Sequence, residues 1–262
     1  GKAFRNEITP GNFIFRTREF EQAEMQFFVK PGSDDEWFDY WLEQRVAWHH
    51  EIGIRPEKLR RHAHGPNELA HYAKTAVDLE YEFPFGWQEL EGIHNRTDFD
   101  LSRHQEYSGK RLLYIDPGSG ERYVPYVVET AMGVGRAALV ALVDAYREEE
   151  VEGQPRVVLG LDPRLAPIKA AVFPLMKKFG QPEIARELLQ ALRDARLPAG
   201  YDQAGSIGRR YRRQDEAGTP WCVTIDRQTS EDRTVTIRDR DTLAQERVGL
   251  DHVVGWIRER LG

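Results

Sequence analysis

The sequence predicts an α+β chain in two parts: a front built from antiparallel hairpins and a small α/β back. Three observations predict this. Two runs of strand-forming residues, Phe4-Arg5-Asn6-Glu7-Ile8 and Phe13 through Phe28, flank the turn Thr9-Pro10-Gly11-Asn12. Residues 77–83 and 87–93 alternate apolar and polar side chains around Pro84-Phe85-Gly86, which predicts a second hairpin. Beyond Leu161, helical and extended patterns alternate, and that order predicts a mostly parallel sheet. The charged, turn-rich stretch 147–155 reads as the linker, so the expected domains are residues 1–150 and 151–262. With 262 residues, 40% hydrophobic and 31% charged, the chain can bury two cores.

In the first hairpin, alternation puts Arg5 and Glu7 on one face of the first strand, and Arg16, Arg18, Phe20, Gln22 and Glu24 on one face of the second. Such a face could bind an anionic ligand that carries a flat ring and a cationic group. A solvated outer face is equally compatible with alternation alone. Ser33, with Glu36 three residues on, is placed to cap a helix whose stripe of Trp37, Trp41 and Trp48 reads as core. Glu89 and Glu91 are expected on one face of their strand, where two carboxylates repel unless a cation or donors lie between them. A strand ending near Glu129 then runs into Gly133-Val134-Gly135-Arg136 and a helix over 137–146.

In the back half, 168–173, 221–226 and 234–238 read as strands, and 182–195, 206–216 and 250–261 as helices. Arg209, Arg210, Arg212 and Arg213 crowd one helix and cannot all be paired by Asp215 and Glu216, so a phosphate contact and a solvated face both suit them. Cys222, the only cysteine, lies in the apolar run 220–225 and reads as a packed thiol. It excludes an internal disulfide, and the histidine spacings match no zinc signature, so no structural zinc is expected. No apolar run approaches membrane-spanning length. Net charge is −6, unevenly shared: from Pro155 onward 19 Lys and Arg face 15 Asp and Glu, a net of +4, which leaves −10 in front. A polyanion contact is therefore expected of the back half.

Phe4-Arg5-Asn6-Glu7 followed by Phe15-Arg16-Thr17-Arg18-Glu19-Phe20 resembles motif 2 of class II aminoacyl-tRNA synthetases, and Phe20-Glu21-Gln22-Ala23-Glu24 resembles its glycyl-tRNA synthetase form. Glu89-Leu90-Glu91-Gly92-Ile93 and Arg96-Thr97-Asp98-Phe99-Asp100-Leu101 are similar to the same family's catalytic core, and Glu129 through Arg136 to motif 3. Leu165 to Lys169 and Gly205 to Pro220 resemble the anticodon-binding domain shared by several class II synthetases. The resemblance covers essentially the whole chain. It implies the antiparallel-sheet catalytic core of a class II synthetase, in part, followed by a small α/β anticodon-binding domain.

The resemblance also implies roles. Arg5, Arg136 and Glu89 would be catalytic, with Arg5 at the α-phosphate of ATP, Arg136 at the γ-phosphate and Glu89 at the magnesium position. ATP would lie among Arg5, Asn6, Glu7, Phe15, Arg16, Thr17, Arg18, Glu19, Phe20, Glu89, Leu90, Gly133, Val134, Gly135 and Arg136. Glycine would lie among Phe20, Glu21, Gln22, Ala23, Glu24, Glu129, Thr130, Ala131, Met132 and Gly133. Arg209, Arg210, Arg212 and Arg213 would contact tRNA. The sequence departs from the family pattern at Ala131, where a serine is usual, and at Gly135, where an aspartate is frequent. The implied partners are glycine, ATP with Mg²⁺, and tRNA(Gly), in a cytoplasmic homodimer without a membrane. The chain starts at Gly1 inside a hairpin and reads as the C-terminal portion of a longer protein, inactive in charging on its own. Two alternatives stand beside this: a threonyl or prolyl synthetase of the same class, and a non-catalytic synthetase-like accessory protein that binds nucleic acid.

Overall fold

Two sheets organise the 262 residues, all of which the computed structural model describes, and the chain divides into units Gly1–Asp144 and Ala145–Gly262. In the first unit the elements are β1 (Lys2–Phe4), β2 (Glu19–Val29), α1 (Asp34–Glu51), β3 (Leu59–Ala63), β4 (Thr75–Phe83), β5 (Gly86–Thr97), α2 (Phe99–Ser108), a small hairpin of β6 (Tyr114–Ile115) and β7 (Arg122–Tyr123), β8 (Tyr126–Gly133) and α3 (Val134–Ala145). The sheet order is β1-β2-β8-β5-β4-β3 and every pairing is antiparallel.

The first hairpin is present with shorter arms than the sequence predicts. β1 pairs with β2 only from Lys2 opposite Glu21 to Phe4 opposite Glu19. Residues 5–18 form a wide loop, closed by the Arg5 amide donating to the Arg18 carbonyl (2.8 Å) and by a Gly11–Arg16 bridge. Asn12 and Phe13 take positive φ there, 53° and 57°, which breaks the extended run that strand propensity alone suggests.

Beyond the loop, alternation holds. Met25, Phe27 and Val29 turn to the covered face of β2, and Phe27 meets Trp37 and Trp41 of α1 at 4.8 and 5.3 Å between rings. Phe38 and Leu42 of α1 pack with Val77, Leu79, Ile93 and Val128 of the sheet, each such buried side chain contributing about 1.5–3 kcal/mol. Trp37 itself remains about one-third exposed, so the stripe expected as core contributes mainly through Trp41. Ser33 occupies the position before α1 but does not cap it: its hydroxyl donates to the Lys30 carbonyl at 2.8 Å.

In the second unit follow β9 (Tyr146–Val151), β10 (Gln154–Leu159), β11 (Ala170–Pro174), α4 (Gln181–Asp194), β12 (Ala199–Tyr201), α5 (Ile207–Ala217), β13 (Trp221–Ile225), α6 (Arg227–Asp232), β14 (Thr234–Asp239), β15 (Gln245–Gly249) and α7 (Val253–Leu261). The expected linker is instead a β-hairpin: β9 and β10 pair from Val151 opposite Gln154 to Tyr146 opposite Leu159. Its charges are structural. Arg147 donates to Glu149 and Asp241, both at 2.5 Å, and the fully buried Arg156 reaches Glu149 at 2.7 Å and Asp215 at 2.9 Å.

The main sheet runs β12-β11-β13-β14-β15. β11 lies parallel to β12 and β13, but β14 and β15 are antiparallel, so the sheet is mixed rather than mostly parallel. The reason is local: β14 returns from β13 through the six-residue α6, too short for a crossover that would keep strands parallel. The core packs Leu188 and Leu192 of α4 and Val253 and Ile257 of α7 against Val172, Val223 and Ile237. Cys222 is buried in β13, and burial pushes its thiol pKa up. No helix is long and apolar enough to cross a membrane.

Candidate active site

The exposed face of the first sheet carries a cleft of about 970 Å³. Along β2 the period of two sends Phe20, Gln22, Glu24, Gln26 and Phe28 into it, and along β8 it sends Val127, Glu129, Ala131 and Gly133. β5 carries two irregularities, at Leu90 and at Arg96, and the first decides which side chains arrive. Glu89 lies opposite Glu80, yet Glu91 lies opposite Leu79, so Leu90 is the extra residue of a β-bulge.

The bulge separates two carboxylates that strict alternation puts together. Glu89 lines the cleft, whereas Glu91 is buried on the α1 side. There Arg45 Nε and Nη2 donate to Glu91 at 2.6 and 3.1 Å, and His49 Nε2 lies 2.8 Å away. Burial alone would raise the Glu91 pKa, but the His49 hydrogen bond and Arg45 hold it below the ordinary carboxylate value. From Gly92 onward the alternation restarts, with Gly92, His94 and Arg96 facing the cleft.

One end of the cleft is cationic and aromatic. Arg136, in the first turn of α3, donates through Nε to the Phe15 carbonyl (3.1 Å) and through Nη1 to the Glu89 carbonyl (2.9 Å). Its guanidinium stands 4.4 Å from the Phe15 ring centroid and 3.4 Å from a Glu89 carboxylate oxygen. Arg5 stands 5.3 Å from the Phe20 ring and Arg16 5.6 Å from Phe15. Phe15 is itself locked edge-on against Phe83 and Phe85 at 5.0 and 5.2 Å. A Cβ at Gly135 would lie 3.4 Å from the Ile14 carbonyl oxygen, an ordinary contact, so the position tolerates a side chain there.

The other end is anionic. Glu24, Asp78, Asp100 and Glu129 line it together with the single guanidinium of Arg96. Arg96 grips Asp100 in a two-pronged ion pair (2.8 and 3.1 Å), reaches Glu129 at 3.2 Å and stacks 3.9 Å from the Tyr72 ring. That hydrogen bond holds the Asp100 pKa below its ordinary value, burial opposing it. Gln26 also donates to Glu129. His64 bonds Asp78 at 2.9 Å, and although burial works to lower its pKa, that bond and the Asp78 charge raise it. Four carboxylates against one guanidinium leave this end electrostatically suited to a small cation such as an ammonium group.

Of the residues the sequence singled out, Arg5, Phe15, Arg16, Thr17, Glu19, Phe20, Glu21, Gln22, Glu24, Glu89, Glu129, Ala131, Met132, Gly133, Gly135 and Arg136 line the cleft. Asn6, Glu7, Arg18, Ala23, Leu90, Thr130 and Val134 do not. Arg18 is drawn away by its bond to the Ile8 carbonyl (2.9 Å); Leu90 packs into the core with Phe15, Tyr81 and Phe83; Thr130 follows the covered face of β8. Sequence reasoning missed Gln26, His64, Tyr72, Asp78 and His94, and gave no individual role to Arg96 and Asp100 of the family-like stretch 96–101. Gln26 was findable by extending the Phe20-Gln22-Glu24 alternation two residues.

In the second unit, the four arginines of α5 divide. Arg210 is buried and donates to the carbonyls of Pro174 (2.6 Å) and Gly205 (2.9 Å), and Arg213 pairs with Asp202. Asp215 is consumed by Arg156 and Arg238 at 2.9 and 3.0 Å. Arg209 remains exposed and Arg212 half-buried.

Residues 169–260 match the family model described as anticodon binding domain. The chain is 56% identical over 261 residues to a glycine–tRNA ligase of Caldanaerobacter subterraneus subsp. tengcongensis, covering all of this chain and 56% of that protein. It is 54% identical over 270 residues to the glycine–tRNA ligase of Bifidobacterium longum and 55% over 267 to that of Treponema denticola, covering 55% and 59% of them. Among solved structures it is similar to a prolyl-tRNA synthetase from Cryptosporidium parvum complexed with L-proline and AMP, with TM-score 0.72 and 17% identity over all of this chain and 54% of that one; at such identity the likeness speaks for the fold. The chain spans about half the length of the curated relatives it matches, and over its own whole length it is similar to glycine–tRNA ligases, with an anticodon-binding domain model matched in its back half.

Proposed function

We propose that this chain carries the ATP and glycine subsites and the anticodon-binding domain of a glycine–tRNA ligase, which joins glycine to tRNA(Gly) through a glycyl-adenylate. The observation that supports it best is the polarity of the cleft: arginines and aromatic rings at one end, an excess of carboxylates at the other. A nucleoside triphosphate suits the first end and an ammonium group the second.

Glycine's carboxylate oxygen attacks the α-phosphorus of ATP, the bond to the bridging oxygen breaks, and pyrophosphate leaves. A terminal ribose hydroxyl of the tRNA then attacks the glycyl carbonyl, and AMP leaves. Arg5 is assigned to the α-phosphate, Arg136 to the γ-phosphate and Phe20 to the adenine ring. The two guanidinium groups offset charge that builds on the phosphate oxygens, and positioning of the two reactants supplies much of the rest. Glu129 and Glu24 are assigned to the ammonium group.

No group of three or more His, Cys, Asp or Glu side chains is placed to cage a metal. Mg²⁺ carried on a triphosphate needs only one or two protein carboxylates. Glu89, half exposed in the cleft, would hold it, and the ion would neutralise phosphate charge. Arg209 and Arg212 are assigned to tRNA, while Arg210 and Arg213 are absorbed by internal partners. The same family resemblance implies a homodimer at work in the cytoplasm.

The test is ATP–pyrophosphate exchange by the protein that carries this chain, with glycine, L-proline and L-threonine compared. Exchange that depends on glycine alone is expected. Exchange driven by proline or threonine, or tRNA binding with no exchange at all, would overturn the proposal.

A further inference from the structure

The anionic end of the cleft has an unusual floor. Gly92 of β5 and Ala131 of β8 are cross-strand neighbours, so little side-chain bulk rises from the strands there. One ring covers the gap. A Cβ built on Gly92 would lie 2.6 Å from His94 Cε1, so the His94 imidazole already stands in the space directly above Gly92.

His94 is also the cross-strand partner of Glu129, and its Nδ1 lies 3.6 Å from a Glu129 carboxylate oxygen. The ring is fixed from several sides. The Tyr72 and His64 rings stand edge-on to it at 6.3 and 6.4 Å. Burial lowers its pKa, with Glu129 and Asp78 pulling the other way, so the site favours the neutral ring. Its buried Nδ1 has no hydrogen-bond partner, so its placement is not explained by a bond that the protein completes.

We propose that His94 determines amino-acid specificity: its imidazole fills the space over Gly92, beside the carboxylate that receives the ammonium group, into which the side chain of any amino acid larger than glycine would extend. This rests on the assignment of Glu129 to the ammonium group. A glycine site must reject alanine by steric means, because it has no side-chain group to recognise. One methylene's worth of discrimination is about 10- to 200-fold in a packed pocket. His94 is the residue placed to supply it, since Gly92 and Ala131 leave the floor bare.

The test uses the protein that carries this chain and compares kcat/KM for glycine and L-alanine in ATP–pyrophosphate exchange. His94→Ala is expected to lower the glycine-to-alanine ratio at least tenfold while the KM for ATP stays within twofold. His94→Leu retains bulk and loses both ring nitrogens, and it is expected to keep the ratio within threefold of the parent. An unchanged ratio in His94→Ala overturns the proposal, and so does an equal loss in His94→Leu, which would assign the discrimination to the ring nitrogens. A parent protein with no glycine-dependent exchange overturns the function proposed above, a distinct result read before either variant is made.

Discussion

Glu91 gives the sharpest prediction about what holds the cleft's sheet to its helix. It is 1% exposed, as is His49, while Arg45 retains 19% exposure. Glu91→Ala strands the Arg45 charge and removes the His49 partner. Breaking a buried pair costs about 3–5 kcal/mol, and because Arg45 keeps some access to water the lower end, about 3 kcal/mol, is expected. Glu91→Gln keeps the volume and one hydrogen bond and should cost less, about 1.5–3 kcal/mol. The pH dependence has a fixed sign. The folded pKa lies below the ordinary value of 4.5, so the stabilisation is present above that value and is lost as pH falls through the folded pKa. The gap between parent and Glu91→Ala should therefore be full at pH 7 and shrink on acidification below about pH 4.5. Urea unfolding followed by tryptophan fluorescence measures it, since Trp48 stands 4.4 Å from the Arg45 guanidinium. A cost under about 1 kcal/mol at pH 7, or a gap that does not narrow in acid, would refute the pairing as a source of stability.

Arg136→Met should reduce glycine-dependent exchange by about 10²–10³-fold, the effect of removing one preorganised donor, and a loss below tenfold would remove Arg136 from the phosphate site. Arg210→Ala, which strips donors from the Pro174 and Gly205 carbonyls, should destabilise the second unit by about 2–4 kcal/mol in urea unfolding. Arg209→Ala and Arg212→Ala should leave that stability unchanged and each flatten the salt dependence of tRNA binding by about one unit of slope; an unchanged slope in both would clear α5 of RNA contact. Cys222 should react with an aromatic disulfide reagent only as the second unit unfolds, because burial raises its thiol pKa; rapid labelling of the folded protein would show the strand opening.

How much of this was legible in the sequence depended on the range of the interactions involved. Period-two alternation identified Phe20, Gln22 and Glu24 as one face, because side-chain direction in a strand is local geometry. The motif resemblance carried Arg5, Glu89 and Arg136 to one cleft although they are far apart in the chain. Charge was read less well. The 147–155 stretch reads as a linker because nothing local shows that Arg147 reaches Asp241 or that Arg156 reaches Asp215. The same limit applies to α5: four arginines in sequence look equivalent, and only tertiary contacts reveal that Arg210 points inward while Arg209 stays out.

The bulge at Leu90 shows why a residue-level pattern can be right in its parts and wrong in its assembly. Glu89 and Glu91 share a face in any unbroken strand, and two carboxylates there would compete for one cation. One inserted residue turns Leu90 into the core with Tyr81 and Phe83 and reverses the direction of the residues that follow, up to the second irregularity at Arg96. Glu89 is left in the cleft against Arg136, Glu91 is delivered to Arg45 and His49 on the opposite face, and His94 and Arg96 then come up beside Glu129. A regular strand could present Glu89 or the His94–Arg96 pair to the cleft, but not both. The irregularity therefore lets a single strand serve the cationic end, the anionic end and the helix-packed back of the sheet.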